Sequence, residues 1–190
     1  MAIATPVRIV GGHELPAVGT WTIDPAHSQV TVEVRHMMIS KQRGSFEELS
    51  GTIVVADKLE DSSVEVVLKT ASFKTDTPDR DKHVRSADFL GVEQFPEAVF
   101  KSASLTQRSS DRWTVAGTLA LKGITKPVTL EVKFEGGLID PWGKPRIAFS
   151  ATAEIDREEW GVSWNMPLAA GGIMVGKLVT LMIDAQATLG

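Results

Sequence analysis

Apolar residues recur at every second position over much of the chain. Val30, Val32 and Val34 alternate with Thr31, Glu33 and Arg35. Val128, Leu130, Val132 and Phe134 alternate with Thr129, Glu131, Lys133 and Glu135. The same period runs through Ile147, Phe149, Ala151, Ala153 and Ile155, and through Val179, Leu181, Ile183, Ala185 and Ala187. Trp113, Val115, Gly117, Leu119 and Leu121 form a further run, with a less polar opposite face. A β-strand sends successive side chains to opposite faces, so this period marks strands with one buried face. The pattern predicts strands near 19–25, 28–38, 46–56, 62–72, 98–105, 112–122, 126–136, 145–156 and 177–189.

Turn-forming residues separate most of these segments: Asp24-Pro25, Lys41 to Gly44, Ser109-Ser110-Asp111, Lys122-Gly123 and Gly136-Gly137. Short connections between strands with one apolar face imply antiparallel meanders. Closing such a sheet buries the apolar face and removes the edges. The expected fold is all-β: one antiparallel barrel of about eight strands over 19–190, with a short, flexible N-terminal arm at 1–18. Residues 75–95 depart from the pattern, being charged and without a period of two. Thr77-Pro78 reads as an N-cap followed by proline at the first helical position. Asp81 and Arg85 stand four apart, where they can pair on one helix face. A short helix near 78–86 and a further turn at 87–91 are therefore expected as an insertion between strands.

Small residues fall on the inward faces: Gly51, Gly117, Ala151, Ala153, Ala185 and Ala187. An eight-stranded barrel is just wide enough to be filled by side chains or to hold one small ligand. The small residues therefore leave two readings, a cavity or a taper filled by larger neighbours. His36 and Arg157 share the inward parity. A buried guanidinium needs partners. Arg157 either pairs with Asp24, Asp81 or Asp88 as a structural plug, or faces an anionic ligand head group. His36 reads most simply as a hydrogen-bonded wall residue. The apolar, irregular stretch 161–176, with Trp164, Met166, Leu168, Ile173 and Met174, suits a flap over the barrel mouth. Packing against the barrel's outside, or in a dimer contact, is the alternative.

The 190 residues suit one all-β domain, and 43% hydrophobic with 23% charged residues is a globular balance. A net charge of -4 with interspersed signs argues against nucleic acid as a partner, since phosphate binding needs a basic patch. The absence of cysteine excludes disulfides, thiol catalysis and cysteine metal sites. His27, His36 and His83 lack tight metal-ligand spacing, so no metal or other cofactor is expected. P-loop, nucleophile-elbow, dinucleotide-binding and zinc-protease motifs are missing. No stretch approaches the roughly 20 apolar residues of a membrane span. Arg8, His13 and Glu14 interrupt every run that could serve a signal peptide, so the expected location is cytoplasmic.

Ordered short motifs carry a resemblance. The chain reads Trp21-Thr22-Ile23-Asp24-Pro25-Ala26-His27-Ser28, then Val34-Arg35-His36-Met37 and Gly44-Ser45-Phe46. The most specific piece is Arg80-Asp81-Lys82-His83-Val84-Arg85-Ser86-Ala87-Asp88-Phe89, followed by Phe95-Pro96-Glu97-Ala98-Val99-Phe100-Lys101-Ser102. Gly117-Thr118-Leu119, Gly123-Ile124-Thr125-Lys126-Pro127-Val128, Ile155 to Gly161 and Trp164-Asn165 complete the series. In order and spacing these resemble the YceI-like family from about residue 20 to 189. The resemblance implies a lipocalin-like barrel with an inserted helix, often a dimer. It also implies a non-catalytic role: binding, transport or storage of a polyisoprenoid, an isoprenoid quinone or another long amphiphilic lipid in the interior. On parity and this resemblance the expected apolar lining is Val34, Phe46, Phe89, Phe100, Leu119, Phe149, Trp164 and Leu181. His36, His83, Arg85 and Arg157 are the expected head-group contacts. Two other readings stand beside it. One is a small-barrel enzyme acting on an apolar substrate through Asp81, His83 and Arg157; the other is a packed interaction module without a cavity.

Overall fold

Strand pairing closes the alternating segments into a ring. The computed structural model describes residues 5–169 and 171–190. The N-terminal strands are β1 (Val7–Val10), β2 (His13–Pro16), β3 (Gly19–Ile23), β4 (Gln29–His36), β5 (Ser40–Phe46) and β6 (Leu49–Val55). There follow β7 (Ser63–Lys69), β8 (Phe73–Lys74), the helix α1 (Pro78–Arg85), β9 (Glu97–Gln107) and β10 (Arg112–Leu121). The chain continues through β11 (Ile124–Ile139), β12 (Pro145–Asp156) and β13 (Val175–Leu189).

The ring runs β3-β6-β7-β9-β10-β11-β12-β13 and back to β3, a closed antiparallel barrel of 8 strands. β13 makes the closure. One flank pairs with β12 from Leu178 to Thr188; the other pairs with β4 near its start and with β3 near its end. β3 and β4 thus occupy one position in the ring, bent at the turn Pro25–His27, where Asp24 accepts the Ala26 N–H at 3.0 Å. β5 pairs with β4 and β6 with β3, so this second position is bent in step. The chain reverses at Lys122-Gly123 as expected, both residues having positive φ (50° and 76°), the geometry of a tight hairpin.

Two expected turns lie elsewhere. Lys41 to Gly44 is inside β5, and the reversal is Met37-Met38, in left-handed conformations at φ 50° and 64°. β5 carries Lys41 and Arg43 outward onto Glu33 of the neighbouring strand, at 2.5 and 2.7 Å, and their polarity imitates a loop. Gly136-Gly137 is inside β11, where the register slips against β12 between Phe134 and Gly136. The glycines form a bulge instead of a turn, a substitute that isolated glycines in a strand often mark.

Residues 7–16, expected as part of an arm, form the β1–β2 hairpin across the Gly11-Gly12 turn; residues 1–4 lie outside the described residues. Leu15 is buried, and Arg8 donates to the carbonyls of Ala56 and Asp57 at 3.0 and 2.8 Å. Four-residue strands with Arg8, His13 and Glu14 among them are too short for alternation to reveal. At the opposite end α1 follows Thr77 at the N-cap position with Pro78 in its first turn, as expected, and the Thr77 side chain makes no capping hydrogen bond. Asp81 and Arg85, expected as a pair, take other hydrogen-bond partners. Asp81 accepts from the Thr75 N–H and hydroxyl, both at 2.6 Å, and Arg85 donates to the Phe73 carbonyl at 2.9 and 2.6 Å. Among the described residues no helix is long and apolar enough to cross a membrane.

Candidate functional site

The barrel encloses a hollow that reaches from Leu68 and Ala98 to Pro16 and Leu59, at the end that carries the β1–β2 hairpin. The cavity measures about 180 Å³. Its wall is built by alternation: Val64, Val66 and Leu68 from β7, Val115 and Leu119 from β10, Val128, Leu130 and Val132 from β11. Phe149 and Ala151 of β12 and Leu181, Ile183 and Ala185 of β13 continue it. Ile23, Val30, Ile53, Val55, Leu59, Ala98, Phe100, Leu105, Trp113 and Pro16 complete the apolar lining. Among the described residues no charged side chain lines this space. Polar groups on the wall are few. Ser62 Oγ accepts the Ala56 N–H at 3.0 Å, Ser63 stands beside it, and the buried Trp113 indole N–H has no acceptor.

The small inward residues contribute unequally to the hollow. Ala151 and Ala185 line it. At Gly51 and Gly117 larger side chains already lie over the backbone: a Cβ there would meet Ile23 Cδ1 or Phe100 Cζ, each at 2.8 Å. Ala153 and Ala187 are packed in the core. Both sequence readings therefore hold in different sections of one barrel.

Of the eight expected apolar residues, Phe100, Leu119, Phe149 and Leu181 line the cavity. Val34 packs in the cluster around Ile155, Trp160 and Val179. Phe46 is buried edge-on to Phe73, with ring centroids 5.0 Å apart. Phe89 and Trp164 meet at the α1 end of the barrel, 5.3 Å apart, and His83 stands edge-on to both, at 5.0 and 4.6 Å. The stretch 161–176 thus reaches α1 through Trp164; within it Asn165 bonds both the N–H and the carbonyl of Val175.

None of the four expected head-group residues lines the cavity. His36 ends β4, half-buried and paired with Ser40. His83 bonds Asp88 at 3.1 Å, and Arg85 is committed to the Phe73 carbonyl. Arg157 is only 5% exposed and lies with its guanidinium 5.9 Å from the Phe89 ring centroid. Its partners are backbone carbonyls rather than carboxylates: Gly176 at 2.8 Å, Val175 at 3.2 Å, and Val162. Burial lowers its pKa, opposed by Glu158 and Asp156 nearby. The guanidinium ties the Arg157–Trp160 turn to the start of β13, which is a plug of a different kind from the one expected. Asp24, a proposed partner, instead binds Arg146 at 2.6 Å and His27 at 2.8 Å. The Arg146 hydrogen bond is the main reason its carboxyl titrates below the usual range. Asp81 is likewise lowered, chiefly by the Thr75 hydroxyl. Asp81, His83 and Arg157 therefore hydrogen-bond to separate groups, Thr75, Asp88 and the backbone carbonyls of Val162, Val175 and Gly176, and not to one another.

Pattern reading passed over the β6–β7 side of the wall and the hairpin's Pro16. Val64, Val66 and Leu68 do alternate with Glu65, Val67 and Lys69, a signal diluted by Val67 on the outer face.

Comparison with known proteins agrees with this architecture. A family model described as the YceI-like domain matches residues 21–187. Protein YceI of Salmonella newport is 37% identical over 141 residues, covering 74% of this chain and 73% of that protein. The crystal structure of BcnA from Burkholderia cenocepacia superposes with a TM-score of 0.76 at 20% identity, covering 86% of this chain and 98% of BcnA. A polyisoprenoid-binding domain from Saccharophagus degradans superposes with a TM-score of 0.67 at 14% identity, covering 92% of this chain and 100% of that domain.

Proposed function

The chain belongs to the YceI-like family, and from that membership and the apolar hollow of its barrel we propose that it binds a long apolar molecule, an isoprenoid chain, without transforming it. The observation that carries the reading is the cavity wall, to which β3, β4, β6, β7 and β9 to β13 all contribute and which bears no charge among the described residues. Such a wall attracts by removing apolar surface from water, at about 25 cal/mol per Å². A chain segment hiding about 300 Å² gains roughly 7 kcal/mol before the cost of its lost freedom is subtracted. The cavity of about 180 Å³ is smaller than the roughly 300–1,000 Å³ of drug-sized sites. It suits a slender chain inserted in part, with the remainder leaving through the open side. The Saccharophagus domain of the same fold binds polyisoprenoids, which supports this cargo class. A wall without a charged acid or base among the described residues supports carriage or storage of the chain.

Protein purified from its native host, extracted with organic solvent and measured by native and lipid mass spectrometry, tests the proposal. The expected result is a polyprenyl compound released from the barrel. Recovery of no such compound, together with failure to load any long apolar probe, would overturn it.

A further inference from the structure

The cavity end of the barrel presents large apolar side chains to solvent. Trp142 is 79% exposed, Ile9 65%, Leu138 56% and Val10 48%. They stand on two tips, the β1–β2 hairpin and the β11–β12 turn. The tips belong to one end face: β1 is pressed on β11 so closely that a Cβ on Gly137 would lie 2.9 Å from Val7 Cγ1 and 3.1 Å from Pro6 Cβ.

Trp142 is displayed by a braced turn. Asp140 Oδ1 accepts the N–H groups of Trp142 and Lys144, both at 2.9 Å. The Asp140 N–H donates to the Lys144 carbonyl and the Gly143 N–H to the Asp140 carbonyl, again at 2.9 Å. Arg146 reaches the second carboxylate oxygen at 3.5 Å. Ordering a loop costs conformational entropy, and this loop spends it holding an indole in water. Charge differs between the two tips. On the β11–β12 tip Asp140 is buried and Lys144 stands exposed beside Trp142; on the hairpin Arg8 is engaged by Asp57 at 3.0 Å, and His13 and Glu14 are exposed on β2.

Tryptophan and lysine on the otherwise apolar β11–β12 tip match the chemistry of a lipid–water interface. The indole settles at head-group depth with its N–H in the wet layer, and the lysine reaches phosphate. The same end carries the cavity rim, since β2 runs from this hairpin into Pro16, which lines the hollow with Leu59 and Trp113. We infer that this end of the barrel docks on a phospholipid bilayer, with Trp142, Leu138 and Ile9 entering the interface and Lys144 against the phosphates. Docked in this way, the rim faces the phase in which an apolar chain resides, and cargo passes between bilayer and barrel without crossing water. The purpose assigned to docking rests on the proposed cargo; the docking itself does not.

The test is flotation of the full chain with phosphatidylcholine–phosphatidylglycerol vesicles. Wild type should float, and Trp142→Ser combined with Ile9→Asn should lower the partition coefficient about tenfold or more, as losing two buried apolar side chains demands. Spin-labelled lipid should quench tryptophan emission in wild type and quench it far less in Trp142→Phe. Trp142→Ser should bind an apolar dye in vesicle-free buffer as wild type does. A cavity-blocked variant, Ala151→Phe, should lose the dye and still float, which separates failure of the cargo reading from failure of this one. Wild type that does not float, or floats equally with both tip substitutions, overturns docking. So does a wild-type dimer that Trp142→Ser converts to monomer without any flotation, which would make the tips a contact between copies.

Discussion

Filling the hollow should cost affinity far more than stability, and Ala151→Leu measures both. Ala151 sits in the middle of β12 between Val132 and Ile183 and faces the cavity. Empty apolar space costs about 24 cal/mol per Å³, so a cavity of about 180 Å³ forgoes at most about 4 kcal/mol while unoccupied. Three added carbons regain up to about 2.4 kcal/mol at about 0.8 each. Misfit takes back about 1–3 kcal/mol. The net change therefore falls between about +1.4 and -0.6 kcal/mol, with no change in the urea dependence of unfolding. A bound chain yields the same three-carbon space, so its affinity should fall about 50-fold. Urea titration read by tryptophan emission gives the first quantity, and titration with a fluorescent apolar probe gives the second. A loss of more than about 3 kcal/mol would mean that Ala151 belongs to a filled wall. Unchanged probe affinity with the fold intact would place the cargo outside the barrel.

Arg157→Met should lower stability by about 3 kcal/mol or more in chemical denaturation, because three carbonyls lose their donor. Full stability with a selective loss of charged-head isoprenoid binding would instead assign the guanidinium to ligand. The lowered Asp24 pKa, due first to Arg146, makes the folded state favour the carboxylate. That contribution is complete above the ordinary aspartate range, near pH 4, and vanishes as pH falls through the lowered folded value. Asp24→Asn should therefore reduce urea stability at neutral pH and converge with wild type at strongly acid pH; a difference that persists there would refute the linkage. Gly123→Ala should lower the melting temperature, since φ is +76° and the new Cβ would lie 2.7 Å from Phe95 Cε1; an unchanged midpoint would show that Phe95 gives way freely.

The barrel was legible because its walls alternate over seven or more residues, as in Val128 to Phe134 and Val179 to Ala187. The hairpin 7–16 was not, since four residues cannot display a period. β5 hid behind Lys41 and Arg43, whose outward partner Glu33 is known only once strands are paired. Parity told which side of a strand faces inward, and four of the eight named lining residues do line the cavity. It could not tell how far along the axis each lies. Val34, Phe46, Phe89 and Trp164 face inward or endward in filled sections, where neighbours such as Phe73 and Trp160 take the space. Arg157 illustrates the same limit: its burial follows from the pattern, but carbonyl partners carry no residue signature.

β13 also sets the order in which the protein can assemble. Trp21 pairs with Leu189, and Ile23 with Ala187, contacts separated by nearly the whole chain. Contacts of such long sequence separation slow folding, because loop closure must precede any reward. At about 5–20 residues per second of synthesis, β3 and β4 wait roughly 10–30 s for their partner to emerge. During that interval each offers an unpaired edge, and the nascent barrel is an open sheet with its greasy face uncovered. The barrel's most hazardous moment is therefore its own birth, and a holding chaperone or a slow ribosome should change its yield more than its final stability.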